Sequence, residues 1–364
     1  MTQPIYEKLV DAVNMRGAPG VKSPELYALM EELFTPEEAE LAVKMPLNPV
    51  SAADLASEIG MSAEVVQRIL ETMADKGLVF SYERGGVKRY NLMPIFPGIF
   101  EFQFTKGEVD ERAKKLARLF EDYFNVMRPA TSRSGPRIEL FPMARVISVE
   151  QEVPAGFEVY PYNLVSHYIE NSEYLAASTC YCRHHAELMG RPCDKPKDNC
   201  MSFGPAAKFV IERGFGRALS KEEAFEVLKR SEEAGLVHCV SNVSKYLDFV
   251  CNCCTCHCGF LRSLKDADSP SMVATSSFIA SLDEEVCSGC GDCVERCPVD
   301  ALAMEGDVVA LNLKRCIGCG LCMSVCPTGG LSLEPREGAP VPPRDRHELD
   351  AAMAASLGQS GDQG

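Results

Sequence analysis

The sequence predicts an α+β multidomain protein, and three observations predict it. Residues 35–95 run through three helical segments and then two β-rich arms. The segment from Cys180 to Cys258 gathers ten of the chain's 18 cysteines. A twelve-residue cysteine run near the C-terminal end occurs twice, its copies 29 residues apart (316 − 287).

Residues 1–34 read as a helical leader. T-P-E-E-A-E-L-A-V-K-M follows, with Thr35 as N-cap, Pro36 at the first helical position and acidic residues in the first turn. S-A-A-D-L-A-S-E-I-G runs from a Ser51 cap to a Gly60 stop. S-A-E-V-V-Q-R-I-L-E-T-M-A-D-K-G runs from Ser62 to Gly77, with Val65, Val66, Ile69, Leu70 and Met73 at helical spacing. L-V-F-S-Y-E-R-G-G-V-K-R-Y-N-L then makes a hairpin around Gly85-Gly86. This order is that of a winged helix over residues 35–95. The second helix of the pair would face DNA with Glu64, Gln67, Arg68, Glu71, Asp75 and Lys76, and its carboxylates repel phosphate. The arrangement is therefore read as a packing or protein-contact module.

Residues 96–175 form a helical and mixed connector. Within it, 108–127 is an amphipathic helix whose stripe of Leu116, Leu119, Phe120, Tyr123, Phe124 and Met127 reads as core. T-S-R-S-G-P-R (131–137) reads as a loop. Residues 176–265 make a mainly helical cysteine-rich domain, 275–335 a second cysteine domain, and 336–364 a flexible tail with a short helix over 347–357.

Composition narrows the chemistry. The chain has 364 residues, is 46% hydrophobic and 24% charged, and carries a formal charge of -15. That charge disfavours nucleic acid and suits a partner with a basic docking patch. M-T-Q-P-I-Y-E-K-L-V-D lacks the pattern of a signal peptide, and no apolar run is long enough to insert in a membrane. A cytoplasmic chain keeps its thiols reduced, so dense cysteine points to metal rather than disulfides.

C-S-G-C-G-D-C-V-E-R-C-P begins at Cys287 and C-I-G-C-G-L-C-M-S-V-C-P at Cys316. Both are C-x2-C-x2-C-x3-C-P, in which the fourth cysteine of each run serves the other cluster. Cys287, Cys290, Cys293 and Cys326 then hold one [4Fe-4S] cluster, and Cys316, Cys319, Cys322 and Cys297 hold the other. Two zinc sites would need no such crossed repeat. S-S-F-I-A-S-L-D and A-L-A-M-E-G-D-V-V-A-L-N read as strands, the latter with a turn at Glu305-Gly306-Asp307. Val294-Glu295-Arg296 and Met323-Ser324-Val325 read as short helical turns. Residues 275–335 look like a bacterial two-cluster ferredoxin domain, a fold that carries single electrons.

The other cysteines are Cys180, Cys182, Cys193 and Cys200, then Cys239, then Cys251, Cys253, Cys254, Cys256 and Cys258. Cys180 to Cys200 supply four thiols, enough for one cluster or one zinc ion, with Arg183, Arg191, Lys195 and Lys197 among them. Two helices follow, the second capped by Ser220 with Glu223. In an extended chain Cys251 and Cys253 point one way, and Cys254, Cys256 and Cys258 the other. Two readings stay open. Either this stretch supplies a second extra [4Fe-4S] site, or one of its faces joins Cys180–Cys200 in a single extra cluster. His184, His185 and His257 stand among these cysteines as candidate iron ligands or as hydrogen-bonding neighbours.

C-Y-C-R, G-R-P-C-D-K-P-K-D-N-C-M-S-F-G, E-E-A-G-L-V-H, C-N-C-C-T-C-H-C-G-F-L-R and the repeat together resemble a family of 4Fe-4S dicluster-domain proteins of anaerobic bacteria and archaea. The leader, winged helix and long helix share in that resemblance. Some similar proteins have a sixth cysteine where this chain has His257, which weakens a six-thiolate site. The resemblance implies an iron–sulfur electron-transfer protein or subunit and no particular reaction. A redox partner protein or oxidoreductase complex is expected, with two [4Fe-4S] clusters and one or two more in 180–258. Two alternatives are weighed: an iron–sulfur redox sensor read out by the winged helix, and an iron–sulfur enzyme with an open iron in the second cysteine region. No G-x-G-x-x-G and no P-loop is present to support a further cofactor.

Overall fold

The computed structural model describes residues 4–17, 20–130, 141–153, 160–266 and 273–359. The loop expected at 131–137 and the last five residues of the tail lie outside these. The first elements are α1 (Pro4–Asn14), α2 (Pro24–Leu33), α3 (Pro36–Lys44), β1 (Val50–Ser51), α4 (Ala52–Ile59), α5 (Ala63–Asp75), β2 (Val79–Arg84), β3 (Val87–Leu92), α6 (Phe100–Phe104) and α7 (Glu111–Ala130). Next come β4 (Ala144–Ile147), α8 (Val165–Asn171), β5 (Leu175–Thr179), α9 (Tyr181–Leu188), β6 (Asp198–Phe203), α10 (Gly204–Glu212), β7 (Arg217–Ala218), α11 (Lys221–Glu233), β8 (Val237–Ser241), β9 (Phe249–Cys253) and α12 (Gly259–Asp266). The chain closes with β10 (Val273–Ala274), β11 (Phe278–Leu282), α13 (Asp292–Arg296), β12 (Leu302–Glu305), β13 (Val308–Leu311), β14 (Leu331–Pro335) and α14 (Arg346–Gln359).

These elements divide into two compact units. One holds residues 1–137, 178–192 and 208–217, and the other 138–177, 193–207 and 218–364. The stretch 176–265, read as one domain from the sequence, contributes to both.

In the first unit, α3 opens with a capping box: Glu38 N–H donates to Thr35 Oγ1 at 3.3 Å and Thr35 N–H to Glu38 Oε2 at 2.8 Å. α4 and α5 begin at the Ser51 and Ser62 caps, and α4 ends on left-handed Gly60. The hairpin β2–β3 pairs Val79 with Leu92 through Arg84 with Val87, and β1 adds on the far side of β3. Leu116, Phe120 and Tyr123 of α7 are buried, while Leu119, Phe124 and Met127 are half-buried at the edge of that core.

The outer face of α5 differs from the sequence reading. Arg213, with a side chain only 7% exposed, reaches Glu71 at 2.7 Å and Asp75 at 2.6 Å, and donates to Ser81 Oγ at 3.0 Å. Lys88 also pairs with Glu71 at 2.7 Å, and Lys76 with Glu38 at 2.6 Å. Glu71, Asp75 and Lys76 are thus committed to contacts within the unit: the turn after α10 delivers Arg213 beside the two carboxylates, and Glu38 holds Lys76.

Burial pushes the Glu101 carboxyl up to about 7 from 4.5, against the opposing hydrogen bond from Gly98 N–H at 2.6 Å. The folded state therefore holds this proton more tightly than the unfolded chain. Its contribution to stability is full below about pH 4.5 and is lost as pH rises to about 7. The residue keeps some contact with solvent, which reduces the effect to on the order of 2 kcal/mol. Glu101→Gln is expected to flatten this slope, with a smaller difference in melting temperature between pH 5 and pH 8 than in the unaltered protein. Equal slopes in the two proteins would remove Glu101 as the cause.

The second unit is built on a seven-stranded sheet in the order β10-β4-β8-β9-β6-β5-β7. The cysteine-rich stretch is therefore less helical than the sequence suggested. Cys200 lies on β6, Cys239 on β8, and Cys251 and Cys253 on β9. V-H-C-V-S and F-V-C-N-C alternate with the period of a strand, and the density of thiols masks that alternation. Val240, Val250, Met201 and Phe203 fill one core, while Cys239, Cys253 and Cys258 belong to another, shared with the residues around the repeat.

The tail also departs from expectation. Leu349 and Met353 of α14 are buried with Val243, and Phe141, Met143 and Tyr246 pack against them. Ser244 N–H donates to Pro343 O at 2.8 Å and Lys245 N–H to Arg344 O at 3.0 Å, so the segment leading into α14 is held by backbone. Composition marked the tail as flexible; two apolar residues four apart are enough to dock a helix.

Candidate iron–sulfur centres

The repeat folds into two matching halves. β11 pairs with β14 antiparallel, from Phe278 opposite Pro335 to Leu282 opposite Leu331, and β12 pairs with β13. The short turns fall at Asp292–Arg296 and Met323–Val325. Crossing follows from this closure. One cavity of about 310 Å³, partly open to solvent, is lined by Cys287, Cys290, Cys293 and Cys326. The other, of about 360 Å³ and likewise partly open to solvent, is lined by Cys297, Cys316, Cys319 and Cys322. Each cavity thus takes three thiols from one run and the fourth from the other.

Two glycines shape the walls. A Cβ on Gly289 would stand 2.0 Å from Asp307 O, and one on Gly318 would stand 1.9 Å from Phe278 O. Both have left-handed backbone, at φ 65° and 71°. The backbone can then close on the cavity without a side chain between. Ala301 N–H donates to Cys297 Sγ at 3.2 Å. The corresponding Cys326 lies 3.7 Å from Thr328 Oγ1. Arg336 anchors the second cavity from outside, donating from Nη2 to Cys316 O at 2.9 Å and from Nε to Ser276 O at 3.1 Å.

The two sites differ in exposure. Cys290 is exposed and Cys287 and Cys326 half-buried, whereas Cys316, Cys319 and Cys322 are all buried. Burial pushes the Cys319 thiol up to about 12, and raises Cys322 as well. Cys326 moves the other way: burial opposes the change, but the Thr328 hydroxyl and the N–H groups of Leu331, Thr328 and Gly330 stabilise its thiolate. Four convergent thiols, a backbone that closes on them and N–H groups aimed at sulfur fit a [4Fe-4S] cluster in each cavity. None of the 18 cysteines is in a disulfide.

The remaining ten cysteines divide in a way the sequence did not specify. Cys239 and Cys251 are directly opposite one another on β8 and β9. Cys253 lies two residues along the same face, and its thiol is within hydrogen-bonding reach of Cys239, Cys251 and Cys258. Those three thiols, with burial, raise the Cys253 pKa far above its ordinary value. Cys200 stands next to the Met201–Val250 pair, which puts its register position on this same face. Behind the sheet, His238 is 2.6 Å from Asn252 Oδ1 and 3.1 Å from Glu232 Oε1, and Asn252 Nδ2 donates to Asn199 O at 2.6 Å. This polar brace fixes the pleat of β9 that presents Cys251 and Cys253.

Cys254 and Cys256 do not join that group. Their sulfurs and that of Cys193 lie within 4.8 Å of one another. Burial, with Cys254 as neighbour, raises Cys193, opposed by the N–H of Lys195; burial, with Cys254 and Cys193, raises Cys256 to about 11. Cys180 and Cys182 stand at the start of α9, in the first unit. The sequence pattern does not group Cys239 with the candidate ligands; its alternation shows which face of a strand it takes, and only the register of β8 on β9 sets it opposite Cys251.

The histidines of α9 serve the first unit's own structure. His184 Nε2 is 2.8 Å from Glu108 O and its Nδ1 3.4 Å from Glu187 Oε2. His185 Nε2 is 3.1 Å from Ala117 O, with its ring against Phe100, Phe104 and Phe124. Arg191 is drawn to Glu121 of α7 at 2.7 Å.

The repeat and its paired cavities define an iron–sulfur domain of the ferredoxin type. The family model of the 4Fe-4S dicluster domain matches residues 279–328, and the chain therefore carries a 4Fe-4S ferredoxin-type domain. No curated protein and no solved structure matches the chain. Among the described residues, no helix is long and apolar enough to cross a membrane.

Proposed function

We propose that the protein is an electron-transfer protein or subunit that relays single electrons through two ferredoxin-type [4Fe-4S] clusters and a third held by Cys239, Cys251, Cys253 and Cys258. The observation that carries this reading is the pair of cavities, each lined by four cysteines drawn crosswise from the two runs. A [4Fe-4S] cluster takes up and returns one electron at a time, at a potential set by hydrogen bonds to sulfur and by exposure. Cys290, exposed at the first cavity, marks the side where a partner would approach. The second cavity is lined by three buried cysteines, Cys316, Cys319 and Cys322.

Residues 35–95 act in this reading as a winged helix used for packing or protein contact. The pairing of Glu71 and Asp75 with Arg213 supports that use over DNA binding. A formal charge of -15 steers a redox partner with a basic face, and the working compartment is the cytoplasm of an anaerobe.

The test is iron and acid-labile sulfide per chain in protein purified without oxygen, followed by dithionite reduction and low-temperature EPR. Three clusters give about twelve irons, with signals that appear on reduction and vanish on reoxidation. About eight irons would remove the third cluster, and clusters that cannot be reduced reversibly would sink the relay.

A further inference from the structure

The three thiols of Cys193, Cys254 and Cys256 have a geometry unlike the cubane sites. Among the described residues, they are the one group of three or more cysteine, histidine or carboxylate ligand atoms that all lie within 4.8 Å of one another. The cysteines around the two ferredoxin cavities do not draw together in this way. The difference has a chemical meaning. Two thiolates on one tetrahedral zinc, each at about 2.3 Å, stand roughly 3.8 Å apart. Thiolates on separate corners of a cubane are held wider, because each binds its own iron. The Cys253 thiol is near those of Cys239, Cys251 and Cys258, but no three of these four converge mutually within 4.8 Å.

Local structure explains the convergence. β9 ends at Cys253, and the chain turns through Cys254–Thr255–Cys256, closed by the hydrogen bond from Cys258 N–H to Cys254 O at 3.2 Å. The single intervening residue puts two thiols on one side of this turn. Cys193 arrives from the segment that leads into β6. Cys254 is buried, Cys193 half-buried and Cys256 exposed, so the group opens to solvent on the Cys256 side. Asp194 Oδ1 is 4.0 Å from Cys193 Sγ, a carboxylate beside the thiols and outside the three-sulfur group.

We propose that Cys193, Cys254 and Cys256 form a mononuclear zinc site with three thiolate ligands and a fourth position open to solution. Soft thiolates select zinc among the common divalent ions, and metal binding releases the thiol protons to solvent. Three protein ligands with an open fourth position is the arrangement that lets zinc bind water or a small ligand, whereas a purely structural zinc is closed by four. The site is separate from the proposed relay. It divides the stretch Cys251–Cys258 by function: Cys251, Cys253 and Cys258 face the proposed third cluster, and Cys254 and Cys256 face zinc.

The experiment uses the full chain, produced with iron and zinc supplied, purified without oxygen and dialysed against EDTA. Expected is one zinc per chain beside the iron, with zinc-edge X-ray absorption showing three sulfur scatterers at about 2.3 Å and one lighter atom. Cys256→Ser is expected to lower retained zinc at least tenfold with iron and sulfide unchanged. Loss of about four irons in that variant would show a cubane instead and overturn the proposal. So would one iron in place of zinc, or no zinc in the unaltered chain. Four sulfur scatterers would overturn the open position. If the variant does not accumulate, the absorption spectrum of the unaltered chain decides. EPR of the reduced protein reads the ferredoxin pair independently, so failure of the relay is distinguishable from failure of the zinc site.

Discussion

Cys297→Ser is expected to abolish the cluster proposed for the cavity of Cys316, Cys319 and Cys322, although Cys297 belongs to the first run. Cys297 lines the same cavity as those three, and Ala301 N–H donates to its sulfur at 3.2 Å. Serine offers a harder oxygen ligand on a shorter bond, a poor match to a corner iron. The variant should lose up to about four irons and one of the two EPR signals from the ferredoxin pair. Cys326→Ser should remove the other signal, because Cys326 lines the cavity of Cys287, Cys290 and Cys293. The check is EPR of both variants side by side. If Cys297→Ser disturbed the cluster of Cys287, Cys290 and Cys293, the crossed assignment would fail.

The second large effect is expected at Gly318. An alanine there would place Cβ 1.9 Å from Phe278 O and 3.0 Å from Ser276 Cβ, at a left-handed φ of 71°. Backbone cannot swing away as a flexible side chain can, so β11 must shift. Strained backbone and overpacking together cost about 3 kcal/mol or more. The damage should reach the cluster of Cys316, Cys319 and Cys322 first. Gly289→Ala, which meets Asp307 O at 2.0 Å, should strike the other cavity first. Gly306 is a control: it shares the left-handed backbone but has nothing within 4 Å of an added Cβ. Thermal unfolding and iron content of the three variants decide. A Gly318→Ala protein that melts and retains iron like Gly306→Ala would show that the close approach carries little weight.

The ferredoxin-type region was legible because its information is local. Spacing within each run, the offset of the runs and the recurring glycines all lie on the line of sequence, and geometry repeats them. The caps of α3, α4, α5 and α11 were legible for the same reason: Ser or Thr, three residues before the N–H it accepts from, is a contact a reader can measure along the chain. Glu71 and Asp75 were not legible. Their partner Arg213 lies 142 and 138 residues away, and helical periodicity alone reads them as an outward acidic face. The docked α14 was hidden for a related reason, since Leu349 and Met353 meet Val243 about a hundred residues back.

The second cysteine region divides the two kinds of information most clearly. By itself the sequence placed Cys251 and Cys253 on one side of an extended segment and pointed to metal rather than disulfides. Its placing of Cys258 with Cys254 and Cys256 is corrected, because the chain turns after Cys253 and brings Cys258 within reach of Cys253. Only the tertiary structure decided which thiols stand together. Cys239 meets Cys251 because β8 and β9 pair in one register, and a slip of one residue would turn the thiols of one strand to the opposite face. Cys193 meets Cys254 and Cys256 because the turn after β9 and the segment before β6 arrive at one place. Spacing fixes which thiols a single segment can present together. Convergence of thiols from different segments depends on strand register and loop closure, which the packing of the whole sheet sets.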